Sequence, residues 1–157
     1  MSTNGSIDGP PLLKFRRVLG EQGIVAALRL LNSRAPHRFT GLYRYDGEML
    51  RNLHLVDAFD PELVRGADVA MEDAYCAVVH ERRQSIAFRD AKTAPEVTWR
   101  PGSPVVSYCG VLLTDGDGAA FGALCHFDVK PCDRPATEME LLENAAPILM
   151  AALEAAR

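Results

Sequence analysis

The chain has 157 residues, of which 48% are hydrophobic and 24% charged, a composition typical of one globular domain. A formal net charge of -4 and scattered basic residues argue against a nucleic-acid surface, which needs a concentrated basic patch. No apolar run approaches the roughly 20 residues that cross a bilayer, and the N-terminus lacks the basic-then-apolar order of a signal peptide. Four cysteines without such a signal are typical of reduced thiols, so we expect a cytoplasmic protein.

The N-terminal part is predicted to contain a flexible tail over residues 1–10 and a helix over residues 11–34. The tail is rich in Ser, Gly, Asn and Pro, whereas apolar residues in the second range recur at helical spacing. Gly20 and Gly23 are expected to weaken or bend the middle of the helix. Pro36 should end it, because proline disfavours helical backbone in the residue before it.

A hairpin is predicted over residues 37–57, because Asp46 and Gly47 form an Asp-Gly turn between two apolar runs. Successive side chains of a strand point to opposite faces of the sheet. One face of the first strand should therefore carry Phe39, Gly41, Tyr43 and Tyr45. Residues 58–72 contain Pro and Gly and are interpreted as a loop with at most a short helix.

A middle helix is predicted from about Asp73 to Arg83, with Asp73 as its N-cap, and a short strand over residues 85–90. Residues 91–104 hold three prolines and the single tryptophan, Trp99. We interpret them as a long irregular connection. Connections of this length are often functional, because they can cover a cleft.

A second hairpin is predicted over residues 105–128, around an Asp-Gly-Asp-Gly turn, and a last helix over residues 137–156. Thr137 and Glu140 have the spacing of a capping box at the start of this helix. Pro147 lies inside it and should kink it, because proline removes one backbone hydrogen bond.

Hairpins between terminal helices predict an α+β fold with an antiparallel sheet, built as a single domain over residues 11–157. Three segments in this order resemble those of the GAF domain family: FTGLYRYDGEMLRNLHLVD, AYCAVVHERRQSIAFRDA, and SYCGVLLTDGDGAAFGALCHFD with the helix that follows it. The resemblance spans about residues 22–156. It implies a GAF-like (profilin-like) six-stranded antiparallel sheet. The terminal helices would cover one face, and the middle helix and loops the other.

The family includes sensors of small molecules and modules that associate with proteins, so the resemblance implies a regulatory role in signal transduction. It also implies a pocket between the sheet and the middle helix. We expect this ligand pocket to be lined by Phe39, Gly41, Tyr43, Tyr75, Phe88, Trp99, Tyr108 and His126. His126 is included because it is the one polar side chain in an apolar strand. Arg44 and Arg89 are either partners for an anionic ligand or exposed surface residues.

Two cysteine–histidine pairs raise the question of a metal or haem site. Cys76 and His80 are four residues apart and would share a helix face, or else Cys76 lies in the core with His80 at its edge. Cys125 and His126 are neighbours in a strand, so their side chains point to opposite faces. The chain has no Cys-x-x-Cys pair. We therefore expect no metal ion and no cofactor.

The resemblance also raises an enzymatic alternative, because the family includes thiol-dependent free methionine-(R)-sulfoxide reductases. In those enzymes a thiolate attacks the sulfoxide sulfur and a second cysteine resolves the intermediate. They carry catalytic cysteines ahead of the closing hairpin, where residues 90–104 of this chain contain none. Cys76 and Cys109 could still form a pair in the pocket. We expect a non-enzymatic sensor domain with an unidentified small-molecule ligand and no catalytic residues.

Protein partners are expected for two reasons. The chain leaves no room for a kinase or cyclase, so a signal should pass to another signalling protein. The helix over residues 137–156 also carries a second apolar stripe, which one sheet contact does not cover. We therefore predict a homodimer formed through this helix and the helix over residues 11–34. The second stripe consists of Leu141, Ala145, Ile148 and Ala152.

Overall fold

A six-stranded antiparallel sheet organises the chain in the computed structural model, which describes residues 9–156. The strands are β1 (Phe39–Asp46), β2 (Met49–Asp57), β3 (Val69–Ala70), β4 (Ile86–Phe88), β5 (Ser107–Thr114) and β6 (Ala120–Asp128). The α-helices are α1 (Pro10–Gln22), α2 (Ile24–Arg34), α3 (Cys76–Arg82) and α4 (Ala136–Ala155). The strand order is β3-β2-β1-β6-β5-β4, so β1 pairs with β6 at the centre. The predicted α+β fold with an antiparallel sheet is confirmed.

The N-terminal helical region is split into two helices, where the sequence predicts one bent helix. Gly23 separates α1 from α2 and has a φ of 93°, in the left-handed region that only glycine adopts readily. Most of the predicted tail, residues 1–8, lies outside the described residues. Pro10, which the sequence predicts to belong to the tail, is the first residue of α1.

Both predicted helix caps are wrong. Asp73 ends a short 3₁₀ turn (Met71–Asp73), and α3 begins three residues later without a side-chain cap. Residue Thr137 lies inside α4, whose N-cap position is held by Pro135 without a side-chain hydrogen bond. In place of a capping box, Glu138 forms a two-bond ion pair with Arg34 at the end of α2. This ion pair joins the start of α4 to the end of α2.

The sheet separates two apolar cores. The larger core packs α1, α2 and α4 against one face, and the smaller core packs α3 and the neighbouring loops against the other. Fully buried side chains of the larger core include Phe15, Leu28, Leu31, Leu42, Leu124, Leu142 and Leu149. Those of the smaller core include Tyr75, Val79, Phe88, Tyr108 and Cys125. The described helices include none that is long and apolar enough to cross a membrane.

The connection after β2 differs from its prediction. β3 is a two-residue strand that pairs with the start of β2, through Met49 opposite Ala70 and Leu50 opposite Val69. Residues 58–72 were interpreted as a loop with at most a short helix. The side-chain period of a strand is two residues. A strand of only two residues is therefore too short to show an alternating pattern in its sequence.

Candidate functional site

A cavity of about 250 Å³ lies between the sheet and the layer formed by α3 and the loops. Strands β1, β2, β5 and β6 supply one side, and the start of α3 and residues 103–105 of the long connection supply the other. Most of the lining is apolar, as is usual for small-molecule sites. Five aromatic side chains contribute to it: Phe39, Tyr43, Tyr75, Tyr108 and Phe127.

Glycines make room for two of these rings. A Cβ atom at Gly41 would lie 2.5 Å from Cε2 of Tyr43, and one at Gly110 would overlap the hydroxyl of Tyr108. Each glycine is two residues from its tyrosine on the same strand face, so the ring folds back over the glycine. The patterns Gly-x-Tyr and Tyr-x-Gly thus place two tyrosine rings flat against the sheet.

Two thiols lie side by side in the lining. The hydroxyl of Tyr108 donates a hydrogen bond to Sγ of Cys76 at 3.1 Å, and the Cys125 thiol, whose Sγ atom is 3.8 Å from the carbonyl oxygen of Gly41, lies close enough to affect the pKa of Cys76. Bonds from Cys125 and Tyr108 lower the pKa of Cys76 against the opposing effect of burial. Burial raises the pKa of Cys125, and the neighbouring Cys76 raises it further. Of the two thiols, Cys76 is therefore the easier to ionise.

Among the described residues, Asp73 is the only charged residue that lines the cavity. Its carboxylate makes no hydrogen bond or ion pair within residues 9–156. The neighbouring guanidinium of Arg100 is engaged elsewhere, because it donates to the carbonyl oxygens of Met71 and Glu72 at 3.3 and 2.9 Å. With one carboxylate and no basic side chain in its lining, the cavity favours neutral or positively charged molecules.

The predicted pocket residues fall into two groups. Phe39, Tyr43, Tyr75 and Tyr108 line the cavity. Phe88 packs behind this wall, with its ring centroid 4.9 Å from that of Tyr75, and Gly41 lies beneath Tyr43. Trp99 is on the covering connection but 46% exposed, and Lys92 lies 5.2 Å from its ring.

His126 is not in the cavity, contrary to its prediction. Its strand neighbour Cys125 points into the cavity, so His126 points to the opposite face, towards the terminal helices. There its Nδ1 atom lies 2.7 Å from the hydroxyl of Thr40, and its ring stacks on His37 with centroids 5.9 Å apart. Burial lowers the pKa of His126 to about 3, and the neighbouring His37 adds to this effect.

The proposed anion-binding arginines also lie outside the cavity. Arg89 is exposed and pairs with the carboxylate of Asp133 at 3.6 Å. Arg44 lies opposite Gly122 in the β1–β6 pair. Side-chain alternation therefore turns Arg44 away from the face that Tyr43 and Phe39 present to the cavity. Neither guanidinium is in the cavity lining.

The suggested pocket pair of Cys76 and Cys109 is wrong. Cys109 faces the terminal helices, where its Sγ atom is 3.8 Å from Sδ of Met139, and burial raises its pKa to about 12. The sheet therefore separates the two thiols. His80 is exposed, with its ring against the edge of Tyr45, and does not converge with Cys76 on one point. Within residues 9–156, no group of three or more His, Cys, Asp or Glu side chains could hold a metal ion.

Sequence reasoning missed several residues of the cavity, notably Asp73, Cys125 and Phe127. A signal for the last two was present, because Phe127 and Cys125 alternate along the strand as Phe39, Gly41 and Tyr43 do. What was missing was the pairing of β1 with β6, which places Phe39 opposite Phe127 and Gly41 opposite Cys125.

Comparison with known proteins shows which solved structures share this fold. No protein-family profile matches the chain, and neither does any curated protein. The GAF domain of an Acinetobacter phosphoenolpyruvate-protein phosphotransferase superposes with a TM-score of 0.75 at 13% identity, over 99% of this chain and 96% of that chain. A free methionine-R-sulfoxide reductase from Neisseria meningitidis, solved with its substrate, has a TM-score of 0.73 at 17% identity, over 100% and 94%. A far-red absorbing protein with bound biliverdin IXa has a TM-score of 0.72 at 15% identity, over 96% and 98%.

These likenesses show the fold: the chain has the fold of a GAF domain. The matched structures differ in function, since one is a reductase and another holds a tetrapyrrole. Function therefore has to be argued from the cavity and its residues.

Proposed function

We propose that this chain is a non-enzymatic sensor domain that binds a small, mostly apolar molecule with a neutral or positively charged polar group. The observation that supports this most is the cavity itself, which combines an apolar, aromatic lining with one unpaired carboxylate, Asp73. We further propose that the protein is cytoplasmic, in keeping with its four free cysteines. Its signal would pass through association with a signalling partner.

The ligand class follows from the charge and the rings of the cavity. An ammonium group is attracted to a carboxylate and to the faces of aromatic rings. Tyr43, Tyr75 and Tyr108 offer such rings, and Asp73 offers the carboxylate. A carboxylate or phosphate ligand would instead meet Asp73 as a like charge without a basic partner. We therefore propose a small aromatic or aliphatic amine as the preferred ligand.

We expect native mass spectrometry of freshly purified protein to show a retained small molecule. Three probes of similar size then test the charge preference: benzylamine, benzyl alcohol and benzoate. Benzylamine should bind up to about fivefold more tightly than benzyl alcohol, since a partly exposed ion pair contributes up to about 1 kcal/mol. Benzoate should bind most weakly. Titration followed by ligand-observed NMR gives the three dissociation constants.

Matched variants assign the preference to one side chain. Asp73→Asn should equalise the affinities for benzylamine and benzyl alcohol. Glu72→Gln is the control, because Glu72 is exposed and outside the cavity lining, and it should keep the preference. A chain that retains no molecule and binds none of the three probes would instead be an association module without a ligand.

Thiol-dependent methionine sulfoxide reduction is the second candidate function. Two observations favour it: a reductase is among the structures with the same fold, and Cys76 lies beside Cys125 in the cavity. Within the part of the chain that the structure describes, however, no basic side chain lines the cavity to bind a substrate carboxylate, and residues 90–104 contain no cysteine. We therefore keep the non-enzymatic proposal.

We expect no turnover of free methionine-(R)-sulfoxide. In an assay coupled to thioredoxin and thioredoxin reductase, NADPH consumption should equal that of a reaction without the protein. The physical reason is that the substrate carboxylate would meet the Asp73 carboxylate, the one charged side chain among the described residues that line the cavity. Turnover that Cys76→Ser abolishes and Cys109→Ser preserves would contradict this expectation and support the reductase.

We also propose a homodimer formed through the terminal helices. Within one chain, Leu141 and Ala145 of the second stripe are buried, whereas Ile148 and Ala152 stay partly exposed. Leu13 on α1 is 51% exposed and adds apolar surface to the helical layer. A second copy would remove this surface from water, at about 25 cal/mol per Å² of apolar area.

Light scattering at micromolar concentration should give about twice the mass of one chain. Ile148→Glu should shift the protein towards monomer, because it would place a charge in the interface. Ala151→Glu is the control, since Ala151 is exposed on the same helix, and the sheet should stay folded in both variants by circular dichroism. A wild-type monomer at that concentration would show that the remaining stripe is ordinary surface.

A further inference from the structure

The Cys76–Cys125 pair has a chemistry that ligand binding does not use. Cys76 is the first residue of α3, and Cys125 lies on the central strand β6. Both thiols are buried and line the cavity, with the Tyr108 hydroxyl 3.1 Å from Sγ of Cys76. Two thiols from separate elements that line one cavity can form a disulfide once their sulfur atoms meet.

We propose that Cys76 and Cys125 form a reversible disulfide when a small organic hydroperoxide enters the cavity. The apolar lining admits such a molecule, and the sheet and the covering loops leave the cavity as the route to both sulfur atoms. The other two cysteines are placed differently. Cys109 faces Met139 under the terminal helices, and Cys132 lies 3.6 Å from a carboxylate oxygen of Asp128.

The reaction balances in two steps. The Cys76 thiolate attacks the terminal oxygen of the hydroperoxide, the O–O bond breaks, and the alcohol leaves after taking up a proton. This step leaves a sulfenic acid on Cys76. The Cys125 thiol then attacks that sulfur, a disulfide forms, and water is released. Overall two thiols lose two electrons and two protons, and the hydroperoxide becomes one alcohol and one water.

The surroundings of the pair assign Cys76 as the attacking sulfur. The neighbouring Cys125 thiol and the hydrogen bond that the Tyr108 hydroxyl donates to Sγ of Cys76 both lower the pKa of Cys76. Cys125 has a raised pKa and stays protonated until the sulfenic acid forms beside it. The carboxylate of Asp73 also lines the cavity and opposes the negative charge on sulfur.

The disulfide would link α3 to the centre of the sheet. The two residues belong to opposite sides of the cavity, since α3 covers the sheet face to which Cys125 belongs. A disulfide between them removes both thiols from the cavity lining and joins α3 covalently to strand β6. Oxidation and ligand binding would therefore depend on each other.

Thiol counting tests the proposal on the intact wild-type protein. The reduced chain is treated with tert-butyl hydroperoxide, denatured and alkylated with N-ethylmaleimide. Of the four cysteines, two should escape alkylation, and peptide mass spectrometry should find Cys76 linked to Cys125. Dithiothreitol should restore four alkylated thiols. Tyr108→Phe should slow the reaction about tenfold, because a hydrogen bond to a charged group is lost.

Two serine variants identify the roles of the thiols. Cys109→Ser, on the opposite sheet face, should form the bridge at the wild-type rate. Cys125→Ser should form none, and dimedone should capture a sulfenic acid on Cys76. The proposal would be overturned if all four thiols of the treated wild type were alkylated, or if the disulfide contained Cys109 or Cys132. Both results come from the wild-type protein, so they hold even if a variant fails to fold. Neither result bears on the amine ligand, which the binding probes test separately.

Discussion

Gly122→Ala should unfold the domain or lower its free energy of unfolding by more than about 4 kcal/mol, at the upper end of single-substitution effects. Gly122 lies in β6 opposite Arg44 of β1, at the centre of the sheet. A Cβ atom there would overlap the carbonyl oxygen of Tyr43 and come within 3.1 Å of Cα of Arg44. These are backbone atoms, which cannot move aside as the end of a side chain can.

The β1–β6 pair would therefore have to separate at this point. The loss is comparable to the whole stability of a typical domain, about 5–15 kcal/mol. Urea unfolding followed by circular dichroism measures it. The matched control is Gly20→Ala, because Gly20 lies inside α1 with nothing within 4 Å of its added Cβ. That variant should gain about 0.5–1 kcal/mol from helix propensity. A Gly122→Ala protein as stable as wild type would contradict the close approach of the two strands.

Lowering the pH from 7 to 5 should destabilise the domain by about 2 kcal/mol through His126 alone. The unfolded chain binds a proton to this histidine below a pKa of 6.5, whereas burial holds the folded value at about 3. Because the unfolded state then binds more protons, stability falls as pH drops from 6.5 towards 3. Burial also lowers the pKa of His37, despite the opposing charge of Asp128, so His37 adds to the loss.

The hydrogen bonds around His126 explain why its neutral form is required. Asn32 donates to the hydroxyl oxygen of Thr40 at 3.0 Å, and this hydroxyl lies 2.7 Å from Nδ1 of His126. A second proton on the imidazole would place a positive charge in the apolar core.

Urea unfolding at pH 7 and pH 5 measures the effect. A His126→Gln variant should lose most of the pH dependence, whatever its stability at pH 7. His80→Gln, at an exposed position, should keep the wild-type dependence. Equal wild-type stability at the two pH values would show that His126 is not buried in the neutral form.

The sequence was sufficient for most of the local structure. Asp46 and Gly47 predicted the β1–β2 turn, in which Gly47 has a φ of 62°. Helical spacing and the position of Pro36 predicted the end of α2 to within two residues. Local patterns failed at both helix caps, since α3 begins at Cys76 and the N-cap position of α4 is Pro135. They also could not report that Glu138 at the start of α4 pairs with Arg34, which is distant in the chain.

For the cavity, the sequence by itself determined which aromatic residues share the β1 face, since Phe39 and Tyr43 follow strand alternation. Only the tertiary structure decided which face of β6 joins them. The pairing of Gly41 with Cys125 sends that thiol into the cavity and His126 to the opposite side. A shift of one residue would exchange the two, because side chains alternate at every position. The register between distant strands depends on how both cores pack around the sheet, and no local pattern of residues contains that information.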